Sequence, residues 1–111
     1  MDSGDAAARE SETSAAVTAA VPVIVRSLAG HGVNDVQWFL AFHGYPVVWL
    51  VTSTDTEKAT IVEQGFFRRD VLSALAGAGV APDLVERAAV TVESQETVDR
   101  DFEGSWFYAM R

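Results

Sequence analysis

The pattern of apolar positions is clearest at residues 36–42 and 46–52, two runs rich in β-branched and aromatic side chains. Such side chains favour strands, and only His43, Gly44 and Tyr45 separate the two runs. The pattern therefore predicts an antiparallel hairpin. Apolar side chains occupy both alternate sets of positions in each run, so we expect both faces of the hairpin to be covered.

Helical spacing before the hairpin predicts a first helix. One apolar stripe repeats at helical intervals through Val21, Ile24, Val25 and Leu28. Proline lacks a backbone N–H and is tolerated in a first helical turn, so Pro22 places the predicted start near residues 18–21.

A second helical region is predicted after the hairpin. Thr54 and Glu57 have the spacing of a capping box, in which each side chain bonds the backbone N–H of the other residue. The apolar positions that follow fall on two different faces with Gly65 between them, so we expect a kink or two shorter helices. Pro82 suits the first turn of a further short helix.

The rest of the chain completes a two-layer prediction. Residues 88–93 and 105–110 are expected to form two more strands, because both are rich in β-branched or aromatic side chains. The resulting order, α-β-β-α-β-β, predicts an α+β fold with a four-stranded antiparallel sheet and helices on one face. Residues 1–14 show no apolar periodicity and are predicted to be a flexible acidic tail, which leaves residues 15–111 as a single α+β domain.

Charge and composition narrow the classes of function. The formal net charge is −8, and acidic residues concentrate at residues 1–12 and 93–103, so the body of the domain is nearly neutral. We expect no nucleic-acid partner, because phosphate binding needs clustered Lys and Arg. The chain has no cysteine, which excludes disulfides and cysteine-ligated metals. The apolar run at residues 15–25 is too short to span a bilayer, so we expect a cytoplasmic protein with no membrane segment.

Candidate chemistry is sparse along the chain. Residues 99–104 place carboxylates at alternate positions before a glycine, as in the first half of a calcium loop. The position that should supply a bidentate glutamate is Met110, so we expect no metal site. No nucleophile elbow and no nucleotide-binding glycine pattern occurs in the sequence. We therefore expect no catalytic residue and no cofactor.

The first function hypothesis is a non-enzymatic protein-interaction module of the adaptor, escort or toxin-neutralising type. It would act through an apolar sheet face and the acidic loop of residues 93–103. Helices on one side leave the other sheet face open, and we expect that face to carry Phe39, Val48, Leu50 and Phe107. Because a monomer rarely exposes such a patch, we expect a homodimer, and the acidic loop would also suit a basic protein partner.

The second hypothesis is a small-molecule-binding protein or a simple enzyme. Its pocket would lie between helices and sheet, lined by Trp38, Trp49 and Trp106, with His43 and Arg69 as polar groups. His43 would then act as a general base. A concave pocket that holds His43 and a carboxylate would favour this hypothesis, whereas a filled core with a flat apolar outer face would favour the first.

Overall fold

A three-stranded mixed sheet lies at the centre of the fold. The computed structural model of the protein describes residues 3–110. Its elements are helix α1 (Ser3–Leu28), a short 3-10 turn (Ala29–His31), strands β1 (Val33–Leu40) and β2 (Pro46–Thr52), helices α2 (Asp55–Gln64), α3 (Phe67–Gly77) and α4 (Pro82–Arg87), strand β3 (Ala89–Ser94), and helices α5 (Gln95–Asp101) and α6 (Trp106–Ala109).

The α+β class and the hairpin are confirmed, whereas the four-stranded antiparallel sheet is wrong. The strands lie in the order β1-β2-β3, with β1 antiparallel to β2 and β3 parallel to β2. Parallel neighbours require a long connection, which helices α2, α3 and α4 supply between β2 and β3. The described residues contain no fourth strand, because the segment expected to form it is helix α6.

Residues 106–109 are helical because capping and packing outweigh the strand preference of their aromatic side chains. Ser105 caps the helix, and its Oγ accepts a hydrogen bond from the Tyr108 N–H at 3.4 Å. The Trp106 ring meets the Trp49 ring edge-on, with 6.3 Å between centroids. Strand propensity mainly measures how well a side chain fits its surroundings, so this contact can override it.

Helix α1 is longer than its large apolar residues predict. It begins at Ser3, so the predicted start near residues 18–21 is wrong. Pro22 lies inside the helix on its exposed side, where an interior proline costs about 3 kcal/mol relative to alanine. A buried stripe that starts with small side chains offsets this cost, and it consists of Thr13, Val17, Ala20, Ile24 and Leu28.

The segment predicted as a flexible acidic tail falls largely within α1. Residues 3–14 are helical, and residues 1 and 2 lie outside the described part of the chain. Arg9 Nη2 donates to both carboxylate oxygens of Asp83 at 3.0 and 2.9 Å, and Thr13 is buried. The expected boundary at residue 14 therefore coincides with no break in secondary structure.

One stretch of α1 and the following turn, Ala7–His31, is long and apolar enough to cross a membrane by length and composition. The core helix of a soluble protein passes the same test. In this structure the stretch supplies Val17, Ile24 and Leu28 to the hydrophobic core.

The second helical region consists of two helices, as predicted. Thr54 and Glu57 form the capping box at the start of α2. Gly65 ends α2 in the left-handed conformation, with φ +75°, and α3 begins two residues later at Phe67. Glycine adopts this conformation without the steric cost that a side chain adds, so the chain changes direction here.

The inner face of the sheet, defined here as the face under α1–α4, carries the main core. Residues opposite one another across the strands share a face, so Val36, Leu50 and Val92 point to the same side. All three are buried in one cluster with side chains of the four helices. The hairpin is thus sealed on this side.

The outer face, defined here as the opposite face, is covered only in part. Val51 on β2 and Val98 on α5 are buried there, and Trp49 contacts Trp106 of α6. Helices therefore lie on both faces rather than on one as predicted. The physical reason is that the chain after β3 turns into α5 and α6 instead of a fourth strand.

Candidate functional site

A groove on the outer face lies between the edge strand β1 and helix α6. We call it the aromatic groove, and its lining residues are Gln37, Trp38, Phe39, Trp106, Phe107 and Met110. Its volume is about 470 Å³. Three consecutive residues of β1 line it, and neighbouring residues of a strand point to opposite faces. The groove therefore borders the edge of β1 as well as its outer face.

The position of α6 over the sheet is set by contacts with α5 and β2. Trp106 Nε1 donates to Gln95 Oε1 at 2.8 Å, and the Trp106 ring packs on Trp49. Between the two helices, the Gly104 N–H donates to the Val98 carbonyl at 2.9 Å. These contacts place one side of Trp106 against the sheet and leave the adjacent side open to the groove.

Large apolar side chains around the groove are exposed. Phe39 is 40% exposed and Phe107 is 68% exposed, although both line the same groove. Tyr108 next to it is 56% exposed, and its ring meets that of Phe107 edge-on. Contiguous exposed apolar surface is a feature of interaction sites on folded chains.

A second concentration of polar contacts lies where the parallel strands β2 and β3 end, and we call it the Asp55 cluster. The Asp55 carboxylate accepts hydrogen bonds from the hydroxyls of Ser94 and Thr97, the latter at 2.6 Å, and from Arg100 Nη1 at 3.1 Å. In return, Glu96 Oε1 accepts from the Asp55 N–H at 3.2 Å. The cluster thus joins the first turns of α2 and α5.

The hydrogen bonds of the Asp55 cluster stabilise the charged form of its carboxylate. The pKa of Asp55 lies well below its ordinary value, chiefly because the Ser94 hydroxyl donates to it, followed by Thr97 and Arg100. In α/β folds the carboxyl ends of parallel strands are a common ligand site. Here the polar groups at that edge are hydrogen-bonded to one another, so the cluster holds the first turns of α2 and α5 together.

The structure brings together half of the face predicted for protein interaction. Phe39 and Phe107 both line the aromatic groove. Val48 and Leu50 are fully buried on the inner face and cannot belong to an exposed surface. The reason is the register of the hairpin, which pairs Phe39 with Val47.

The pocket predicted for the alternative hypothesis does not assemble as one site. Trp38 and Trp106 line the aromatic groove and Trp49 packs on Trp106, but the two polar groups expected in the pocket lie elsewhere. His43 is exposed at the hairpin turn, with φ +76°, and its ring contacts Phe42. Arg69 is exposed on α3, where its Nε lies 3.5 Å from the Asp70 carboxylate. Across residues 3–110, no group of three or more His, Cys, Asp or Glu residues could hold a metal ion.

Two groove residues, Gln37 and Met110, were not among the sequence candidates. Gln37 could have been found from its position two residues before Phe39, since alternate residues of a strand share a face. Met110 is different, because it reaches the groove only if residues 106–109 are helical. The partners of Asp55 lie 39 to 45 positions further along the chain, and no local pattern connects them.

Comparison of the chain with protein-family models, with curated proteins and with solved structures gave no match. A function is therefore argued from the site itself rather than from a relative.

Proposed function

We propose that the protein is a non-enzymatic interaction module, of the adaptor, escort or toxin-neutralising type, whose protein partner docks on the aromatic groove. One observation carries this proposal: exposed Phe39 and Phe107 line a single groove beside β1, a strand that within residues 3–110 has a neighbour on one side only. Burying these rings against a partner would remove apolar surface from water, which is the main favourable term in protein association.

The chemistry of the groove supports a binding role over an enzymatic one. An enzyme site needs several polar groups that converge on a reacting atom. Among the described residues that line the groove, Gln37 carries the one polar amide, and none is a histidine or an acid. His43, proposed from the sequence as a general base, lies at the hairpin turn outside that lining.

A small-molecule-binding protein is the second candidate, favoured by the size of the groove. Its volume of about 470 Å³ is that of many ligand pockets. Binding of an apolar molecule would quench or shift the fluorescence of Trp106, which lines the groove. A protein partner is favoured over it because Phe107 and Tyr108 extend the apolar surface from the groove onto the exposed side of α6.

Charge favours one kind of partner. Residues 93–103 carry five acidic side chains and one basic one, so a second copy would bring like charge to the complex and a basic protein would bring opposite charge. We therefore propose a basic protein ahead of the homodimer expected from the sequence.

Affinity capture with matched variants tests the interaction module. Phe39→Ser together with Phe107→Ser should abolish recovery of partner proteins, since both changes make the groove polar. Phe42→Ser is the control, because Phe42 is 84% exposed at the hairpin turn and does not line the groove. If the unchanged protein, the double variant and the Phe42→Ser control recover the same partner proteins in equal amounts, and the protein has a monomeric mass at high concentration, the proposal is overturned.

A further inference from the structure

The edge of strand β1 that faces away from β2 has unpaired backbone groups. The Ala41 N–H donates to the Tyr45 carbonyl at 2.9 Å, and Leu40 is opposite Pro46, which has no N–H to donate. Bonded and non-bonded pairs alternate in an antiparallel ladder, so Leu40 and Trp38 direct their N–H and C=O groups away from β2. Within residues 3–110, no strand lies on that side of β1.

This edge lacks most of the features that protect edge strands from pairing. Natural edges carry Lys, Pro, inward charges or bulges that prevent addition of another strand. Strand β1 contains neither Lys nor Pro. Only the beginning of β1 is protected from pairing with another strand. The register shifts there between Val33 and Asp35, and the Val36 N–H is already bonded to Asp35 Oδ1 at 2.8 Å.

The open part of the edge coincides with the aromatic groove. Trp38 lines the groove between Gln37 and Phe39, and α6 forms its opposite wall. A strand added along β1 would direct every second side chain to the outer face, next to Phe39 and beside Phe107. The groove would hold one such side chain, while the backbone of the added strand bonded Trp38 and Leu40.

Acidic side chains lie beside the groove. Asp35 precedes groove-lining Gln37 by two residues on the outer face of β1. Asp99 Oδ1 accepts from Gln95 Nε2 at 2.8 Å, and the same Gln95 side chain bonds Trp106. Glu103 is exposed in the connection from α5 to α6. Of the two basic residues after position 93, Arg100 is paired with Asp55 at 3.1 Å and with Asp101 at 3.2 Å, and Arg111 lies outside the described residues; residues 93–111 carry five acidic side chains. Like charges facing one another disfavour a second copy, and they favour a positively charged occupant.

From these observations, and resting on the proposed function, we propose that the open edge of β1 and the aromatic groove bind an extended, basic segment of a partner protein as an added strand. Backbone hydrogen bonds to Trp38 and Leu40 supply affinity, and an apolar side chain in the groove supplies specificity. Lys or Arg side chains of the segment are attracted by the acidic side chains beside the groove, Asp35, Asp99 and Glu103.

Selection from a phage library of random peptides, each long enough for one strand of about five to six residues, tests this proposal with the full chain. Enriched peptides should alternate apolar residues with an excess of Lys and Arg. Their synthetic forms should bind in fluorescence anisotropy, and binding should weaken as salt is raised. Failure to enrich any peptide, or enrichment of peptides without a basic excess, would overturn the proposal.

Variants of the chain and amide exchange locate the binding mode. Phe107→Ala should weaken peptide binding by at least about tenfold, and Phe42→Ala by less than about twofold. Glu103→Lys should also weaken it, with Glu63→Lys on α2 as the charge-matched control. In the unchanged protein, the amides of Trp38 and Leu40 should exchange more slowly when peptide is bound. Unchanged exchange at both amides would rule out the added strand.

The same experiments separate this inference from the proposed function. A dimer that Phe39→Lys dissociates, found together with no enriched peptide, would leave the interaction module in place with a second copy as its partner. The same result would rule out a basic segment as the occupant of the groove. A monomer that binds no peptide and captures no protein through the groove would overturn both the interaction module and the added strand.

Discussion

The inner and outer faces of the sheet are built from the same three strands, yet only the inner face is sealed. On the inner face, Val48 and Leu50 are 0% exposed beneath four helices. On the outer face, α5 and α6 cover the centre, and Phe39 on the edge strand remains 40% exposed. Stability is therefore expected to come mainly from the inner face, and recognition from the outer face.

Polar content explains the difference between the two faces. The inner positions of β1 and β2 are apolar from Val36 to Leu40 and from Pro46 to Leu50. On the outer face, Gln37 and Thr91 lie on either side of Trp49, and Asp35 and Glu93 on either side of Val51. A face of mixed polarity needs less cover, so two short helices suffice for its centre and the edge at β1 stays uncovered.

The largest effect is expected from shortening a side chain on the inner face. Leu50→Ala should lower the free energy of unfolding by about 2–5 kcal/mol, because it opens a cavity in a filled core. Val62→Ala is the control, since Val62 is 51% exposed on α2 and should change stability by no more than about 0.5 kcal/mol. Urea unfolding measures both. Equal losses for the two variants would contradict the assignment of the core to the inner face.

A smaller effect is expected from the cover of the outer face. Trp106→Ala removes the contact with Trp49 and the hydrogen bond to Gln95, and should cost about 2–3 kcal/mol because Trp106 is only half-buried. The near-ultraviolet circular dichroism of Trp49 should weaken at the same time. Phe107→Ala, at the next position of α6, should cost less than about 1 kcal/mol. If Phe107→Ala costs as much as Trp106→Ala, Phe107 is a packing residue and the groove is not an open surface.

The inner layer was easier to predict from the sequence than the outer one. The hairpin, the capping box at Thr54 and the break at Gly65 are local signals, each spread over a few neighbouring residues. The parallel pairing of β3 depends on how three helices pack between it and β2, and local patterns carry no such information. Helix α6 depends on the contact between Trp106 and Trp49, which are far apart in the chain.

The candidate site could be predicted only in part, because it too depends on contacts between distant parts of the chain. Phe39 and Phe107 stood out as large apolar residues expected on an open face, and the structure places both in one groove. Val48 and Leu50 were expected on that face, but the observed register pairs Phe39 with Val47 and so turns Val48 and Leu50 to the inner face. The length of a turn and its backbone conformation set that register, including the left-handed His43 and Gly44.

The caps of α2 and α6 offer a finer comparison of the two layers. Thr54→Ala should destabilise the protein by about 1 kcal/mol, because the Thr54 hydroxyl accepts from the Glu57 N–H at 3.2 Å while the Glu57 carboxylate accepts from the Thr54 N–H at 3.0 Å. Ser105→Ala should cost about 0.5 kcal/mol, since its one bond to the Tyr108 N–H is 3.4 Å long. Thermal unfolding of both variants measures the difference. A larger loss for Ser105→Ala would show that α6 is held by its cap rather than by Trp106.

A pH-dependent effect is expected at the Asp55 cluster, which connects α5 of the outer layer to α2 of the inner layer. The pKa of Asp55 is lowered in the folded protein, so its carboxylate stabilises the fold fully at pH values above its ordinary pKa of about 4. As the pH falls below that value, the unfolded chain takes up a proton while the folded chain does not, and the stabilisation declines. Urea unfolding of the unchanged protein and of Asp55→Asn should therefore differ most near neutral pH, and the gap should narrow between about pH 4 and about pH 2. Asp83→Asn, on the exposed ion pair with Arg9, is the control for general loss of a carboxylate. A gap that stays constant over this range would mean that Asp55 acts through its shape and hydrogen bonds, without a contribution from its charge.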